Sequence, residues 1–118
     1  MKGALVTGAA QRIGRCIAEA LVADGWHVAG HHHTADDAAA DTVRAITEAG
    51  GQATAVQADL SDPDACRDLI QTAGNITAGL SCLINNASVF VEDRIGDVEA
   101  AAFDGIMAVN LRAPVLLS

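Results

Sequence analysis

Thr7-Gly8-Ala9-Ala10-Gln11-Arg12-Ile13-Gly14 lies between a short apolar run and a helical pattern, and this placement decides the fold. Its glycines allow a sharp turn and a close approach of the backbone to a ligand. A helix that begins there directs free N–H groups at the turn, which favours binding of a pyrophosphate. A plain tight turn would also explain the glycines, but the position between strand and helix favours a phosphate-binding turn.

Apolar runs alternate with helical patterns along the rest of the chain. Four runs are typical of buried strands, at residues 2–7, 26–31, 53–58 and 80–85. The first helical pattern lies between the first two runs and stops at Asp24-Gly25. The others cover residues 36–49, 62–78 and about 98–117, and the last is expected to bend at Pro114. This alternation predicts an α/β fold, a Rossmann-type doubly wound parallel sheet with strand order 3-2-1-4 in the part present.

Length and composition indicate one folded domain over residues 1–118, which the glycine turn marks as dinucleotide-binding, and they exclude several partners. The chain has 118 residues, 51% of them hydrophobic, and a net charge of −8, which disfavours nucleic acid. No apolar run approaches the ~20 residues of a membrane span, and no signal peptide is visible. Cys16, Cys66 and Cys82 are odd in number and far apart, and they match no CxxC or zinc spacing. We therefore expect reduced core thiols, a cytoplasmic location, a small-molecule substrate and no membrane partner.

Charge at the end of the second strand predicts the cofactor. An NAD enzyme places a carboxylate about 20 residues beyond the glycine motif, but this chain has His31-His32-His33-Thr34 there. A 2′-phosphate would meet His33, the Thr34 hydroxyl and the guanidinium of Arg12, so the sequence predicts NADPH. Asp36 and Asp37 are expected to begin the next helix.

The three consecutive histidines do not predict a metal site. Neighbouring side chains on a strand point to opposite faces and cannot all reach one ion. His31 and His32 are instead expected to pack at the strand end, and Arg15 to be an ordinary solvated helix residue.

Four motifs in the right order give the chain a resemblance to the short-chain dehydrogenase/reductase family. They are Thr7-Gly8 with Gly14, Asp59 in Ala58-Asp59-Leu60, Asn85-Asn86-Ala87-Ser88, and Asn110. The resemblance implies cofactor-binding roles for Gly8, Arg12, Ile13, Gly14, Asp59, Leu60, Asn86 and Ala87. It also implies that Asp59 holds the adenine end of the cofactor and that Asn110 organises a catalytic proton relay.

The chain departs from the family motifs twice, in ways that resemble the pteridine reductases. Arg12 stands where the middle glycine of the first motif is usual, and Ser88 replaces the glycine of NNAG. An HxH pattern at His31–His33 and Phe90 after the fourth strand add to that likeness. The resemblance implies that Arg12 approaches the phosphates of the cofactor as well as a pterin. It also implies that Ser88 hydrogen-bonds the edge of the pterin and that Phe90 stacks on its ring.

Purely structural roles for some of these residues, and other substrates, stay open. Asp59 could be a turn residue and Phe90 could fill a core gap. NNAS followed by an aromatic residue also occurs in less specialised reductases, so a 3-oxoacyl or generic carbonyl substrate is the alternative to a pterin or dihydrofolate.

The implied activity is reversible hydride transfer between nicotinamide C4 and a carbonyl or imine carbon. The family's catalytic Tyr and Lys of YxxxK would lie beyond residue 118, and the chain contains no Tyr. We therefore expect a fragment that binds dinucleotide without turnover, from an enzyme that is a homotetramer when complete. Two alternatives are a stand-alone nucleotide-binding module and an interaction half that pairs with a separately encoded chain.

Overall fold

A computed structural model describes all 118 residues and confirms the Rossmann-type α/β fold. Four parallel strands lie in the order β3-β2-β1-β4. The strands are β1 Gly3–Val6, β2 His27–His32, β3 Gln52–Gln57 and β4 Leu80–Ile84. The helices between them are α1 Arg12–Ala23, α2 Asp36–Glu48 and α3 Pro63–Ile76, followed by α4 Ala100–Met107 and α5 Ala113–Leu117.

Helices cover both faces of the sheet because side chains alternate along the buried strands. On one face, Leu5 of β1 packs with Leu69 of α3 and Leu117 of α5. On the other, Val6 of β1 packs with Ala18 of α1 and Ile46 of α2. All four residues of β1 are buried, as the continuous apolar run predicts.

Two glycines end helices as the sequence predicts, but two side chains of α1 do not lie where the pattern suggested. Gly25 and Gly50 have φ angles of +88° and +89°, the left-handed conformation of a helix stop. Ile13, Ile17 and Leu21 recur every four residues, which predicts one packed face of α1, but Ile13 is 70% exposed. Cys16 is also exposed, so the prediction of three core thiols is wrong for this residue; all three cysteines are free.

The expectation that no apolar run approaches a membrane span does not hold for the last helical run, Ala100–Leu117, which is long and apolar enough to cross a membrane by length and composition. Ala113 and Leu117 are buried in the core of the sheet, and this packing accounts for one apolar side of the run. Ala108–Arg112 form a π-helical turn, in which Ala113 N–H donates to Ala108 O. Pro114 has no N–H to donate to the Asn110 carbonyl and directly follows this wider turn, and the bend at Pro114 stays a prediction.

Candidate functional site

A cleft of about 380 Å³ lies at the carboxyl edge of the sheet, where parallel α/β folds bind ligands. Every residue predicted from the sequence to bind the cofactor lines it, together with Ser88. They are Gly8, Arg12, Ile13, Gly14, His33, Thr34, Asp59, Leu60, Asn86 and Ala87.

Hydrogen bonds from the end of β4 hold the glycine turn on one side. The buried Thr7 hydroxyl accepts from the Asn86 and Ala87 amides at 3.0 and 2.9 Å. In return, Asn86 Nδ2 donates to the carbonyls of Thr7 and Gly8 at 3.1 and 3.2 Å. Because both Nδ2 hydrogens face the turn, Asn86 fixes the shape of the cleft from this side.

Hydrogen bonds from β2 and α2 hold the turn on the other side. Gly8 N–H donates to Nδ1 of His31 at 3.1 Å, and Ala9 N–H donates to the His31 carbonyl at 2.9 Å. The Thr42 hydroxyl of α2 donates to Ala10 O at 2.7 Å. The turn is thus fixed by three separate elements before any ligand binds, which is the preorganisation that a binding site needs.

The N-terminus of α1 faces this turn and has no cap. Its N-cap residue, Gln11, makes no side-chain capping bond, and its first turn contains no acidic residue. By contrast, Asp62 caps α3 by accepting from Asp64 N–H at 2.9 Å. The first amides of α1 therefore lack both an internal partner and a side-chain acceptor, and the positive end of the helix is free for an anion.

Arg12 occupies a backbone conformation that normally requires glycine. Its φ angle is +55°, in the left-handed region that side chains rarely adopt. Its side chain is exposed at the cleft and forms no ion pair, whereas Arg15 pairs with Glu19 at 2.7 Å as expected for a solvated helix residue. Strain of this kind tends to collect at functional sites.

Gly14 cannot carry a side chain in this arrangement. A Cβ built on it would lie 2.0 Å from the carbonyl oxygen of Gly8 and 2.6 Å from Asn86 Nδ2. Gly8 itself has a φ angle of +65°. The two glycines of the turn are therefore required by close backbone packing and by a left-handed conformation respectively.

The three histidines at the end of β2 lie in different environments. His31 is buried, His32 bonds Asp36 of α2 at 2.9 Å, and His33 is exposed at the cleft beside Thr34. No group of His, Cys, Asp or Glu side chains is arranged to hold a metal ion. Asp36 and Asp37 lie in the first turn of α2, as the sequence predicts.

Asp59 makes a local turn and also lines the cleft. Its Oδ1 accepts from the amide and the hydroxyl of Ser61 at 2.9 and 2.7 Å. The bonds from the Ser61 side chain and backbone lower the pKa of the Asp59 carboxyl, which is therefore ionised at neutral pH. The hydrogen bonds of Asp59 are thus those of a turn residue, and its place in the cleft is compatible with contact to a cofactor.

The predicted substrate and relay residues follow β4 and lie on the π-helical turn. Ser88 lines the cleft, whereas Phe90 is outside it and 87% exposed, which excludes core filling. Asn110 binds the backbone of Val89 twice: Oδ1 accepts from Val89 N–H at 2.8 Å, and Nδ2 donates to Val89 O at 2.9 Å. Asn110 thereby ties the segment after β4 to the last helical run.

The family model of the short chain dehydrogenases matches residues 2–118. The chain belongs to this family. It is 38% identical over 98% of its length to an uncharacterised oxidoreductase of Methylorubrum extorquens, and it spans 46% of that protein.

Two solved structures resemble this chain in both fold and sequence. A short chain dehydrogenase of Burkholderia cenocepacia in complex with NADP gives a TM-score of 0.94 at 36% identity, over 98% of this chain and 47% of that one. The FolM alternative dihydrofolate reductase 1 of Brucella canis, complexed with NADP, gives 0.92 at 39% identity, over 98% and 46%. The chain thus spans about half the length of these relatives.

Sequence reasoning placed the cleft but missed several side chains that shape it. It assigned His31 to strand-end packing, and burial is correct, but both ring nitrogens also bind backbone groups. The roles of the Thr7 and Thr42 hydroxyls were missed as well. The strand order 3-2-1-4 was the available signal for His31, because it brings the end of β2 beside the turn after β1.

Proposed function

We propose that this chain binds NADPH in the cleft and belongs to an oxidoreductase that transfers hydride to a small carbonyl or pteridine substrate. The observation that carries the proposal is the uncapped N-terminus of α1 beside a glycine turn that other elements already hold in shape. The solved NADP complexes of relatives with this fold support the same assignment.

The electrostatics of α1 favour the pyrophosphate. Arg12 and Arg15 lie in the first turn, where the helix dipole already presents partial positive charge. Two cations at this end are unfavourable unless an anion is bound there, and only Arg15 has a carboxylate partner. A pyrophosphate at the free amides, together with a 2′-phosphate at Arg12, would supply the missing negative charge.

The end of β2 favours the 2′-phosphate over a free ribose hydroxyl. His33 and Thr34 are exposed at the cleft, and no carboxylate of β2 lines it. Asp36 is turned to His32 and does not line the cleft. Arg12 and His33 would therefore contact the 2′-phosphate, while the acid that selects NADH is missing.

When bound, NADPH supplies the hydride from nicotinamide C4. The residues of this chain orient the dinucleotide through the turn, and Asn110 holds the backbone of residue 89 beside the cleft. The proton donor that the family resemblance implies is a tyrosine, and residues 1–118 contain none. Within the proposal, this chain contributes binding and orientation.

For the substrate, we infer a pteridine, held by Ser88 at its polar edge and by Phe90 on its face. Both residues follow β4, and the exposed ring of Phe90 is free to stack on a flat ligand. Identities of 39% to the dihydrofolate reductase and 36% to the other dehydrogenase do not separate substrate classes. A generic carbonyl substrate therefore stands as the second candidate.

The test of the cofactor assignment is calorimetric titration of the 118-residue chain with NADPH and NADH. We expect tighter binding of NADPH. His33→Asp should weaken NADPH by about ten- to a hundredfold, because a carboxylate would repel the 2′-phosphate, and should leave NADH nearly unchanged. His33→Asn is the matched neutral control. Equal affinity for the two dinucleotides in the wild-type chain would refute the NADPH assignment.

A further inference from the structure

One buried histidine joins three strand ends beneath the cleft. His31 is 3% exposed at the end of β2. Its Nδ1 lies 3.1 Å from the amide nitrogen of Gly8, after β1, and its Nε2 lies 2.9 Å from the carbonyl oxygen of Ala58, after β3. The ring is therefore the only side chain through which the turn after β1 is hydrogen-bonded to β2 and to the end of β3.

These two contacts determine the protonation state of the ring. A carbonyl oxygen only accepts, so Nε2 must carry a hydrogen that it donates to Ala58 O. A backbone amide only donates, so Nδ1 must offer a lone pair to Gly8 N–H. The ring of His31 is accordingly the neutral Nε2–H tautomer, and no other tautomer satisfies both contacts.

We propose that His31 is a positioning residue for the dinucleotide: its neutral ring holds the Gly8 amide in the binding conformation, and a second ring proton disrupts the turn. The inference rests on the proposed function, since it concerns the affinity of the same cleft. It assigns this role to a residue whose two ring nitrogens are both engaged by backbone groups of the chain.

Protonation conflicts with the geometry of the turn. A hydrogen on Nδ1 would face the hydrogen of Gly8 N–H, so that two donors oppose each other. The charged groups around the ring would not relieve the conflict. His32 at the end of β2, His33 just after it and Arg12 at the start of α1 carry no negative charge. The Asp59 carboxylate is bound to Ser61.

Burial keeps the ring neutral near neutral pH. Desolvation lowers the pKa of His31 below its ordinary value of 6.5, and His32 and His33 lower it further, although the bond to Ala58 acts in the opposite direction. The affinity for NADPH should thus be undisturbed by His31 above pH 6.5. Below the pKa of His31, the binding-competent fraction falls about tenfold per pH unit, and the apparent Kd rises by the same factor.

The decisive comparison is between the wild-type chain and His31→Gln. A glutamine amide offers one acceptor and one donor, as the neutral ring does, but it does not titrate in this range. NADPH Kd values are measured for both chains from pH 4.5 to 8. Effects of pH on NADPH itself and on the rest of the cleft are present in both chains, so the ratio of the two Kd values reports on His31. We expect the Kd of the wild-type chain divided by that of His31→Gln to be constant above pH 6.5. As the pH falls further, this quotient should rise in step with the titration of the His31 resonances.

A ratio that stays constant while the His31 resonances titrate would overturn the proposal. If His31 stays neutral until the chain unfolds in acid, the proposal is tested by comparing His31→Leu with His31→Gln at pH 7.5. We expect it to bind NADPH at least about tenfold more weakly than His31→Gln. Equal binding by the leucine and glutamine variants would overturn the proposal.

A measurement on the wild-type chain keeps the proposal falsifiable if the leucine variant does not fold. The N–H···N bond between Gly8 and His31 should give a scalar coupling between the two nitrogens in NMR spectra at pH 7.5. Absence of that coupling would overturn the assignment of the ring. A chain that shows the coupling but binds no NADPH at any pH would refute the proposed function instead, so the two failures are distinguishable.

Discussion

Arg12 combines backbone strain with an unpaired charge, and the two can be separated by substitution. A left-handed φ costs a non-glycine residue about 1–2 kcal/mol relative to glycine. No ion pair of the guanidinium offsets this cost within the chain. A bound phosphate would offset this cost, since a charge-assisted hydrogen bond to it contributes about 1.5–3 kcal/mol.

Arg12→Gly should therefore raise stability and lower NADPH affinity at the same time. We expect the melting temperature of the chain to rise by several degrees, because about 1 kcal/mol of strain is relieved. NADPH should bind about ten- to a hundredfold more weakly, and NADH should be much less affected. Arg12→Ala is the matched variant: it removes the charge but keeps the left-handed strain, so it should lose NADPH affinity without the gain in melting temperature. Equal losses for both dinucleotides would show that Arg12 does not contact the 2′-phosphate.

The exposure of Phe90 makes the substrate proposal testable without a stability penalty. Because the ring is 87% exposed, Phe90→Ala should change the free energy of unfolding by less than about 0.5 kcal/mol. In an assembled enzyme that turns over a dihydropterin, it should raise KM by about two- to tenfold, as expected for loss of an aromatic contact of ~0.5–1.5 kcal/mol. NADPH affinity should not change. An unaltered KM for dihydropterin would favour the generic carbonyl substrate.

At the scale of single elements, the turn between β1 and α1 depends on the absence of one side chain. Gly14→Ala would place a Cβ 2.0 Å from Gly8 O, so the backbone must move. We expect a loss of about 1–3 kcal/mol or more in stability and loss of NADPH binding, measured by thermal melting and titration. Gly74→Ala in α3 is the control, because nothing lies within 4 Å of its Cβ. That substitution should stabilise the chain by about 0.4–1 kcal/mol and leave binding intact. Similar outcomes for the two variants would show that the turn is not closely packed.

The π-helical turn carries the residue that ties down the segment after β4. Asn110→Ala removes both hydrogen bonds to the Val89 backbone. We expect amide exchange of Val89 to accelerate at least about fivefold, equivalent to ~1 kcal/mol of lost protection. Asn75→Ala, at an exposed position of α3, is the control and should leave this exchange rate unchanged. Unchanged exchange in Asn110→Ala would show that other contacts hold the segment.

At the scale of the whole molecule, local patterns predicted the sheet and long-range contacts completed the site. The strand order and the position of the cleft followed from the alternation of apolar runs and from residues 7–14. The bonds between Thr7 and Asn86 join residues 79 positions apart, and no local pattern indicates them. The exposure of Ile13 and Cys16 was missed because helical periodicity identifies a face but does not show where packing begins.

The pH dependence of folding stability follows from the same buried ring that holds the turn. Because its folded pKa lies below the unfolded value, His31 binds fewer protons in the folded state than in the unfolded state. Its contribution is therefore fully present above pH 6.5, is lost progressively as the pH falls from there to the folded pKa, and does not change further below it. In His31→Gln this contribution is absent at every pH. We expect the melting temperature of the variant minus that of wild type to be constant between pH 7 and 8 and to increase as the pH is lowered through 6.5 to 5. A difference that is independent of pH would show that folding does not lower the pKa of the His31 ring, contrary to the effect expected from its burial.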